Sequence, residues 1–194
     1  MKATAKLLAT AALLTASTAA MAHPGHGEGG FTSGLMHPIG GLDHLLAMAA
    51  IGFWSVRQSQ LMKNITPAFV IGGMVLGAGL AWAGLSLPGV ETGITVSVLM
   101  AGILIATLAR FPTAVGGTLV AAFMLFHGYA HGAEMPAAAG ALSYALGFAV
   151  ATAALHAAGL FGGLWLQERK AARVVMGSLG ALISLAGVGM AVGM

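Results

Sequence analysis

The chain has 194 residues, of which 58% are hydrophobic and 7% are charged, and its mean hydropathy is +0.93. A soluble domain has about 25% charged residues. Eight basic and five acidic side chains are therefore too few to cover a water-facing globule of this length. The apolar composition also excludes a disordered chain. The composition therefore predicts a membrane protein. In such a protein the positions of the charged residues are more informative than the formal net charge of +3.

The first 22 residues have the pattern of a secretory signal peptide. Lys2 and Lys6 form a positive start, an apolar stretch follows at 7–14, and residues 20–22 are Ala-Met-Ala, a small-residue cleavage site. The alternative is a signal anchor that is kept as a membrane span, which the short apolar stretch disfavours. Cleavage would leave a tail at 23–36 before the first span. Because cysteine is absent, helix packing alone must stabilise the exported chain.

Six later stretches are apolar enough to cross a bilayer, which takes roughly 20 residues per helix. They lie at 37–56, 66–87, 92–109, 112–132, 139–166 and 173–194. Pro67, Pro88, Pro112 and Pro136 lie at or near their ends, where proline is tolerated. The sequence therefore predicts an all-α, polytopic membrane bundle of six transmembrane helices over 37–194. Close helix packing is expected at the small-residue pairs Gly73/Gly77, Gly159/Gly163 and Gly189/Gly193.

The basic residues that follow position 22 all lie in, or directly beside, three of the connections between these stretches. They are Arg57, Lys63, Arg110, Arg169, Lys170 and Arg173. The tail and the other two connections hold Glu28, Glu91 and Glu134 instead. Because basic loops stay in the cytoplasm, we expect both mature termini to lie on the opposite side. A nucleic-acid partner is not expected, since that would need one basic patch.

Ionisable residues at membrane depth cost about 2.5–3.5 kcal/mol on insertion scales, so they indicate function. The first stretch opens with HPIGGLDHLLAM, which holds His37, Asp43 and His44. The two histidines share a face if the helix begins near Pro38, although a residue before proline is biased away from helical geometry. Asp43 has three candidate roles: it is a metal ligand, it fixes the tautomer of a ligating imidazole from another span, or it caps a nearby helix.

The fourth stretch ends with FHGYAHGAEMP, in which His127, His131 and Glu134 fall on one helical stripe. Two imidazoles at i and i+4 are a recurrent metal-chelating arrangement. The first stretch runs inward and the fourth runs outward, so both motifs lie at a similar shallow depth. Together they predict a site for a divalent transition metal, and the alternative is a set of polar pairs that join two helices. The ligand types fit Ni²⁺ or Co²⁺ and do not exclude Zn²⁺.

Three further histidines carry weaker signals. His156 lies deep in the fifth stretch, four residues after Thr152. It is either a second station on a translocation path or a member of an interhelical hydrogen bond. His23 and His26 lie in the tail, which either captures metal loosely or is a flexible leader.

The motifs HPxxGxDHLLAM at 37–48, FHGxAHGxExP at 126–136 and LHxxG at 155–159 resemble the HupE/UreJ family of bacterial nickel permeases. The resemblance covers essentially the whole mature chain. It implies uptake of Ni²⁺ across the bacterial inner membrane, with periplasmic termini, to supply hydrogenase or urease maturation. It also implies that His37, Asp43, His44, His127, His131 and Glu134 are the important residues. Co²⁺ stays open as the transported ion because the motifs do not separate the two.

We therefore expect a secondary permease or channel that is not an enzyme and has no prosthetic group. Its expected partners are the divalent ion and the lipid bilayer, and a homo-oligomer is compatible with the sequence. An intramembrane zinc hydrolase is the rival from another class, disfavoured because long loops and an HExxH motif are absent. A metal sensor or storage protein, which binds ions without moving them, is the third alternative.

Overall fold

The structure is a computed structural model that describes residues 30–137 and 139–193. The predicted signal peptide at 1–22 lies outside the described residues, as do His23 and His26. In the described part of the chain, α-helices are joined by turns and short connections, and there are no strands. Its elements are α1 (Gly30–Gly40), α2 (Leu42–Ser55), α3 (Gln60–Trp82), α4 (Val90–Ala106), α5 (Thr113–Ala133), α6 (Ala141–Gln167) and α7 (Ala172–Gly193). The predicted all-α class is confirmed.

Four of the helices, α3, α5, α6 and α7, are long and apolar enough to cross a membrane. The apolar helices α2 and α4 have 14 and 17 residues, which gives lengths of about 21 and 26 Å at 1.5 Å per residue. Large apolar side chains face outward, and Leu142, Val174 and Val192 are 75%, 72% and 83% exposed. Soluble monomers rarely expose apolar surface on this scale. The chain is a multi-pass membrane protein.

The first predicted span is two helices, α1 and α2, separated at Gly41. The backbone of Gly41 is extended, with φ −93° and ψ 119°. Pro38 lies inside α1 and has no N–H to donate to the carbonyl of Gly34, which weakens the helix just before the break. His37 is therefore helical although proline follows it, which corrects one expectation. Helix α1 also includes residues 30–36 of the predicted tail.

The start of α3 also differs from the sequence prediction. The Oγ atom of Ser59 accepts a hydrogen bond of 3.1 Å from the backbone N–H of Met62, so the helix begins at Gln60. A side-chain oxygen at this position satisfies a free N–H at the helix start. Pro67, which was expected near a boundary, consequently lies inside the helix. The other helices begin and end within a few residues of the predicted positions.

Small residues let the helices pack backbone to backbone. Gly73 and Gly77 of α3 face α5, and Gly159 and Gly163 of α6 face α2, because an added Cβ would meet main-chain atoms of the facing helix in each case. These two predicted pairs are confirmed as packing sites. The prediction for Gly189 and Gly193 is wrong, since their Cβ positions have no neighbour within 4 Å in the described part of the chain.

The two ends of the bundle carry different residues. At one end the α2–α3 and α4–α5 connections are joined, because the side-chain amide of Gln58 donates to the carbonyl of Ala109 at 2.9 Å. The α6–α7 connection lies at the same end, since α6 runs parallel to α2 with Gly52 beside His156 and Gly163 beside Val56. The six basic residues named above all flank these connections. The opposite end holds both histidine motifs.

Candidate metal centre

All six predicted site residues lie together at the end of the bundle opposite the basic connections. Helix α1 supplies His37, the first turn of α2 supplies Asp43 and His44, and the last turns of α5 supply His127 and His131. Glu134 follows α5 as its C-terminal cap residue. The imidazole of His44 is central in this group, with ring centroids 4.3 Å from His131 and 4.7 Å from His127. We call these six residues the histidine cluster.

The outer edge of the histidine cluster is a contact between His37 and Glu134. The Nε2 atom of His37 lies 2.7 Å from Oε2 of Glu134, and the two side chains are 31% and 53% exposed. Glu134 is in reach because α5 ends at Ala133, which frees the next residue from the helical stripe. The ring of His37 also lies 4.9 Å from that of His131. His37 therefore joins the exposed edge to the buried part.

Asp43 orients the imidazole of the residue that follows it. Its Oδ1 accepts hydrogen bonds from the backbone N–H of His44 at 2.8 Å and from Nδ1 of His44 at 2.9 Å. A carboxylate can only accept, so the proton of a neutral His44 ring lies on Nδ1 and the lone pair lies on Nε2. That Nε2 atom is buried and has no hydrogen-bond partner among residues 30–137 and 139–193. Asp43 therefore orients the imidazole of its own neighbour in α2, whereas the role considered from the sequence was toward an imidazole of another span.

His127 and His131 are both fully buried. The Nε2 atom of His127 lies 2.7 Å from Oγ of Ser97 in α4, while its Nδ1 has no partner in the part of the chain that the structure describes. Both ring nitrogens of His131 lack hydrogen-bond partners among the described side chains and backbone. The ring stacks on Phe148 of α6 with a centroid distance of 5.4 Å and an interplanar angle of 6°. The buried part of the cluster thus contains imidazole nitrogens with unused hydrogen-bonding capacity.

The cluster is not arranged as a finished coordination shell. Within the described residues, no three His, Asp or Glu side chains are placed to hold one metal ion together. The rings instead pack edge to face, with an interplanar angle of 88° between His44 and His127. Ligation of one ion by several of them requires these imidazoles to turn about their side-chain torsions.

A second polar group lies farther along α6. Tyr144, Phe148, Thr152 and His156 recur every four residues, and each is at most 3% exposed. They therefore form one buried stripe. Since His131 stacks on Phe148, His156 lies about 12 Å beyond the cluster at 1.5 Å per residue. Neither ring nitrogen of His156 has a partner, nor does Oγ1 of Thr152. The interhelical hydrogen bond considered for His156 is thus missing from the described residues.

Sequence reasoning missed Ser97, Tyr144 and Phe148 beside the histidine cluster. The four-residue spacing from Tyr144 to His156 could have indicated a common face on α6. For Ser97 the only signal was a hydroxyl within an apolar stretch, and that does not identify the histidine it contacts.

Comparisons with known proteins identify the family of the chain. The family model described as HupE / UreJ protein matches residues 11–190. Protein HupE of Rhizobium leguminosarum bv. viciae is 42% identical over 192 residues, which cover 97% of this chain and 98% of that protein. No solved structure matches the chain. The match spans both histidine motifs and every described helix but the last residues of α7, and the chain belongs to the HupE/UreJ family.

Proposed function

We propose that this protein moves a divalent transition-metal ion, most favourably Ni²⁺, inward across the bacterial inner membrane. The proposal draws on membership of the HupE/UreJ family and on the resemblance of the motifs to nickel permeases. The imported ion would supply hydrogenase or urease maturation. The ion is the substrate, and no resident prosthetic group is proposed.

The observation that carries the proposal is the set of unpartnered nitrogens in the histidine cluster. Nε2 of His44, Nδ1 of His127 and both ring nitrogens of His131 are buried without hydrogen bonds to any of the described residues. Leaving one such polar atom unpaired costs about 1–3 kcal/mol, so a cluster that only joined helices would be expected to pair them. A neutral imidazole nitrogen with a free lone pair is a preferred ligand of nickel, cobalt and zinc. Ion binding therefore accounts for these atoms better than a structural role does.

The side chains of the histidine cluster differ in solvent exposure, which supports a path along which the ion loses its water ligands in steps. His37 and Glu134 are partly exposed, His44 is 6% exposed, and His127 and His131 are fully buried. The ion would first exchange water at the exposed edge and then meet imidazoles alone. We propose a second station at Thr152 and His156, and a loose capture of metal by His23 and His26 of the predicted tail.

The orientation follows from the charges at the two ends. The end with the basic connections would face the cytoplasm under the positive-inside rule, which puts the histidine cluster and both mature termini at the periplasmic face. In this arrangement α1 and α2 together form the first of six spans, and residues 1–22 are removed as the signal peptide. The broken first span resembles the discontinuous helices that line ion sites in secondary transporters.

The experiment that tests the proposal is ion influx into sealed liposomes that contain the purified full chain. We expect accumulation of radioactive nickel with wild type, a loss of about tenfold or more with His131→Ala, and background influx in protein-free liposomes. The decrease in nickel influx on addition of excess cobalt measures the selectivity of the protein for nickel over cobalt. Faster accumulation of cobalt than of nickel would make this a cobalt permease.

Two other outcomes would contradict transport. Binding of nickel by the detergent-solubilised chain without influx would indicate a sensor or storage protein. Hydrolysis of a lipid amide without influx would indicate the zinc hydrolase. The His131→Ala variant is compared with wild type for thermal stability in detergent, so that misfolding is not mistaken for loss of the site.

A further inference from the structure

We propose that Ser97 is a positioning residue of the ion site, which holds His127 in the tautomer that carries its proton on Nε2. The Nδ1 atom of His127 is then the nitrogen offered to the ion. The importance of this arrangement for ion binding rests on the proposed function. The placement of the proton follows from hydrogen bonds alone.

The inference starts from two short contacts of one hydroxyl group. Ser97 lies in α4 and is 1% exposed. Its Oγ lies 2.6 Å from the carbonyl oxygen of Ile94, one turn earlier in the same helix, and 2.7 Å from Nε2 of His127 in α5. Both distances are within the usual range for hydrogen bonds.

A serine hydroxyl has one proton to donate. The carbonyl of Ile94 can only accept, so a hydrogen bond at 2.6 Å requires the proton of Ser97 to point at it. The Oγ atom is then an acceptor toward His127, and the imidazole must donate from Nε2. In a neutral ring this leaves the lone pair on Nδ1.

The opposite tautomer fails on two counts. It would need the Ser97 proton at Nε2, leaving the oxygens of Ser97 and Ile94 in contact with no proton between them. It would also put a proton on Nδ1 of His127, a buried atom without a hydrogen-bond partner. Unpaired buried N–H groups are rarer in native structures than under-satisfied acceptors. The tautomer with Nε2 protonated avoids both costs.

A hydrogen bond also fixes the tautomer of His44, but there the opposite ring nitrogen carries the proton. Asp43 accepts from Nδ1 of His44 and leaves Nε2 as the free nitrogen, whereas Ser97 accepts from Nε2 of His127 and leaves Nδ1. A group outside the ligand shell that fixes a ring tautomer is a recurrent feature of metal sites. The two rings are perpendicular, with centroids 4.7 Å apart, and each has its proton directed to a neighbour outside the pair.

The test combines a spectrum of the metal-free protein with a measurement of nickel affinity. The full chain in detergent, labelled with nitrogen-15 on histidine, reports by NMR which ring nitrogen of each histidine carries a proton. The His127→Gln variant identifies the His127 signals. Ser97→Ala removes the hydroxyl, and Ser97→Thr retains it. Ser55→Ala is the matched control, because Ser55 is also fully buried and donates to a carbonyl one turn earlier, that of Gly52 at 2.7 Å.

We expect wild-type His127 to be protonated on Nε2 and Ser97→Ala to give a mixture of tautomers, with nickel affinity lowered about 10- to 100-fold. Ser97→Thr should restore the wild-type spectrum and affinity, while Ser55→Ala should change neither. A wild-type spectrum with the proton on Nδ1 would overturn the inference, as would a Ser97→Ala variant with unchanged His127 signals or unchanged affinity. The liposome assay decides separately whether the chain transports nickel, because the spectrum is recorded without ion or flux.

Discussion

The Nε2 atom of His37 lies 2.7 Å from Oε2 of Glu134, so a residue of α1 is joined to the end of α5 across 97 positions of the chain. This contact encloses the exposed edge of the histidine cluster. Because both side chains are partly exposed, the pair contributes little to folding. In the proposed function, its position at the edge would make it the first pair of side chains that an ion from the periplasm meets.

The coupling between these two residues can be measured with a double-mutant cycle. We expect His37→Ala and Glu134→Ala each to lower the initial rate of nickel uptake by cells about tenfold. The double variant should lose little more than the worse single variant, because residues that act as a unit are not additive. Losses that multiply in the double variant would show that His37 and Glu134 act independently.

The stacking of His131 on Phe148 should tune nickel affinity. An aromatic pair contributes about 0.5–1.5 kcal/mol beyond its buried area, and a tenfold change corresponds to about 1.4 kcal/mol. We therefore expect Phe148→Leu to weaken nickel binding about two- to tenfold in a titration of the purified chain.

The control for this variant is Phe161→Leu, on the same helix at a position that is 66% exposed. It should leave nickel affinity unchanged because its ring faces away from the cluster. An equal loss of affinity in both variants would contradict a specific role for the stacked pair.

The close packing of α3 against α5 should depend on Gly77 and not on Gly79. A Cβ on Gly77 would meet the backbone of Leu125, whereas a Cβ on Gly79 would meet nothing within 4 Å. Overpacking costs about 1–3 kcal/mol, so Gly77→Ala should lower the thermal unfolding midpoint in detergent. Gly79→Ala should leave it unchanged or raise it, since alanine favours the helix. Equal unfolding midpoints for the two variants would contradict this prediction, because they would show that α3 and α5 can move apart to accept the methyl group on residue 77 at no cost in stability.

The proposed orientation can be checked by labelling, since the chain contains no cysteine. Ser86 lies between α3 and α4, and Gln60 lies at the start of α3, at the opposite end of the bundle. A membrane-impermeant maleimide added to intact cells should label Ser86→Cys and should label Gln60→Cys only after permeabilisation. The reverse pattern would place the histidine cluster at the cytoplasmic face.

The sequence was sufficient to predict which residues lie together in the histidine cluster, because the apolar helices of a membrane protein can be recognised from local sequence. Every backbone group in lipid must be paired within the helix, so apolar stretches identify helices, and the few polar residues within them stand out. The prediction placed His37, Asp43, His44, His127, His131 and Glu134 at one depth, and the structure brings these six side chains together. The resemblance to the HupE/UreJ family is likewise confirmed.

The tertiary structure alone decided where the first span breaks, which residues support the cluster, and which ring nitrogens are free. The break at Gly41 and the stacking of Phe148 depend on how α1 and α2 lie against α6, and the contact between Ser97 and His127 joins positions 30 residues apart. Local sequence places each residue on a face and at a depth. The partner of a single hydrogen-bonding atom depends on helix packing to within a fraction of an ångström, and that packing is set by small residues distributed over the whole chain.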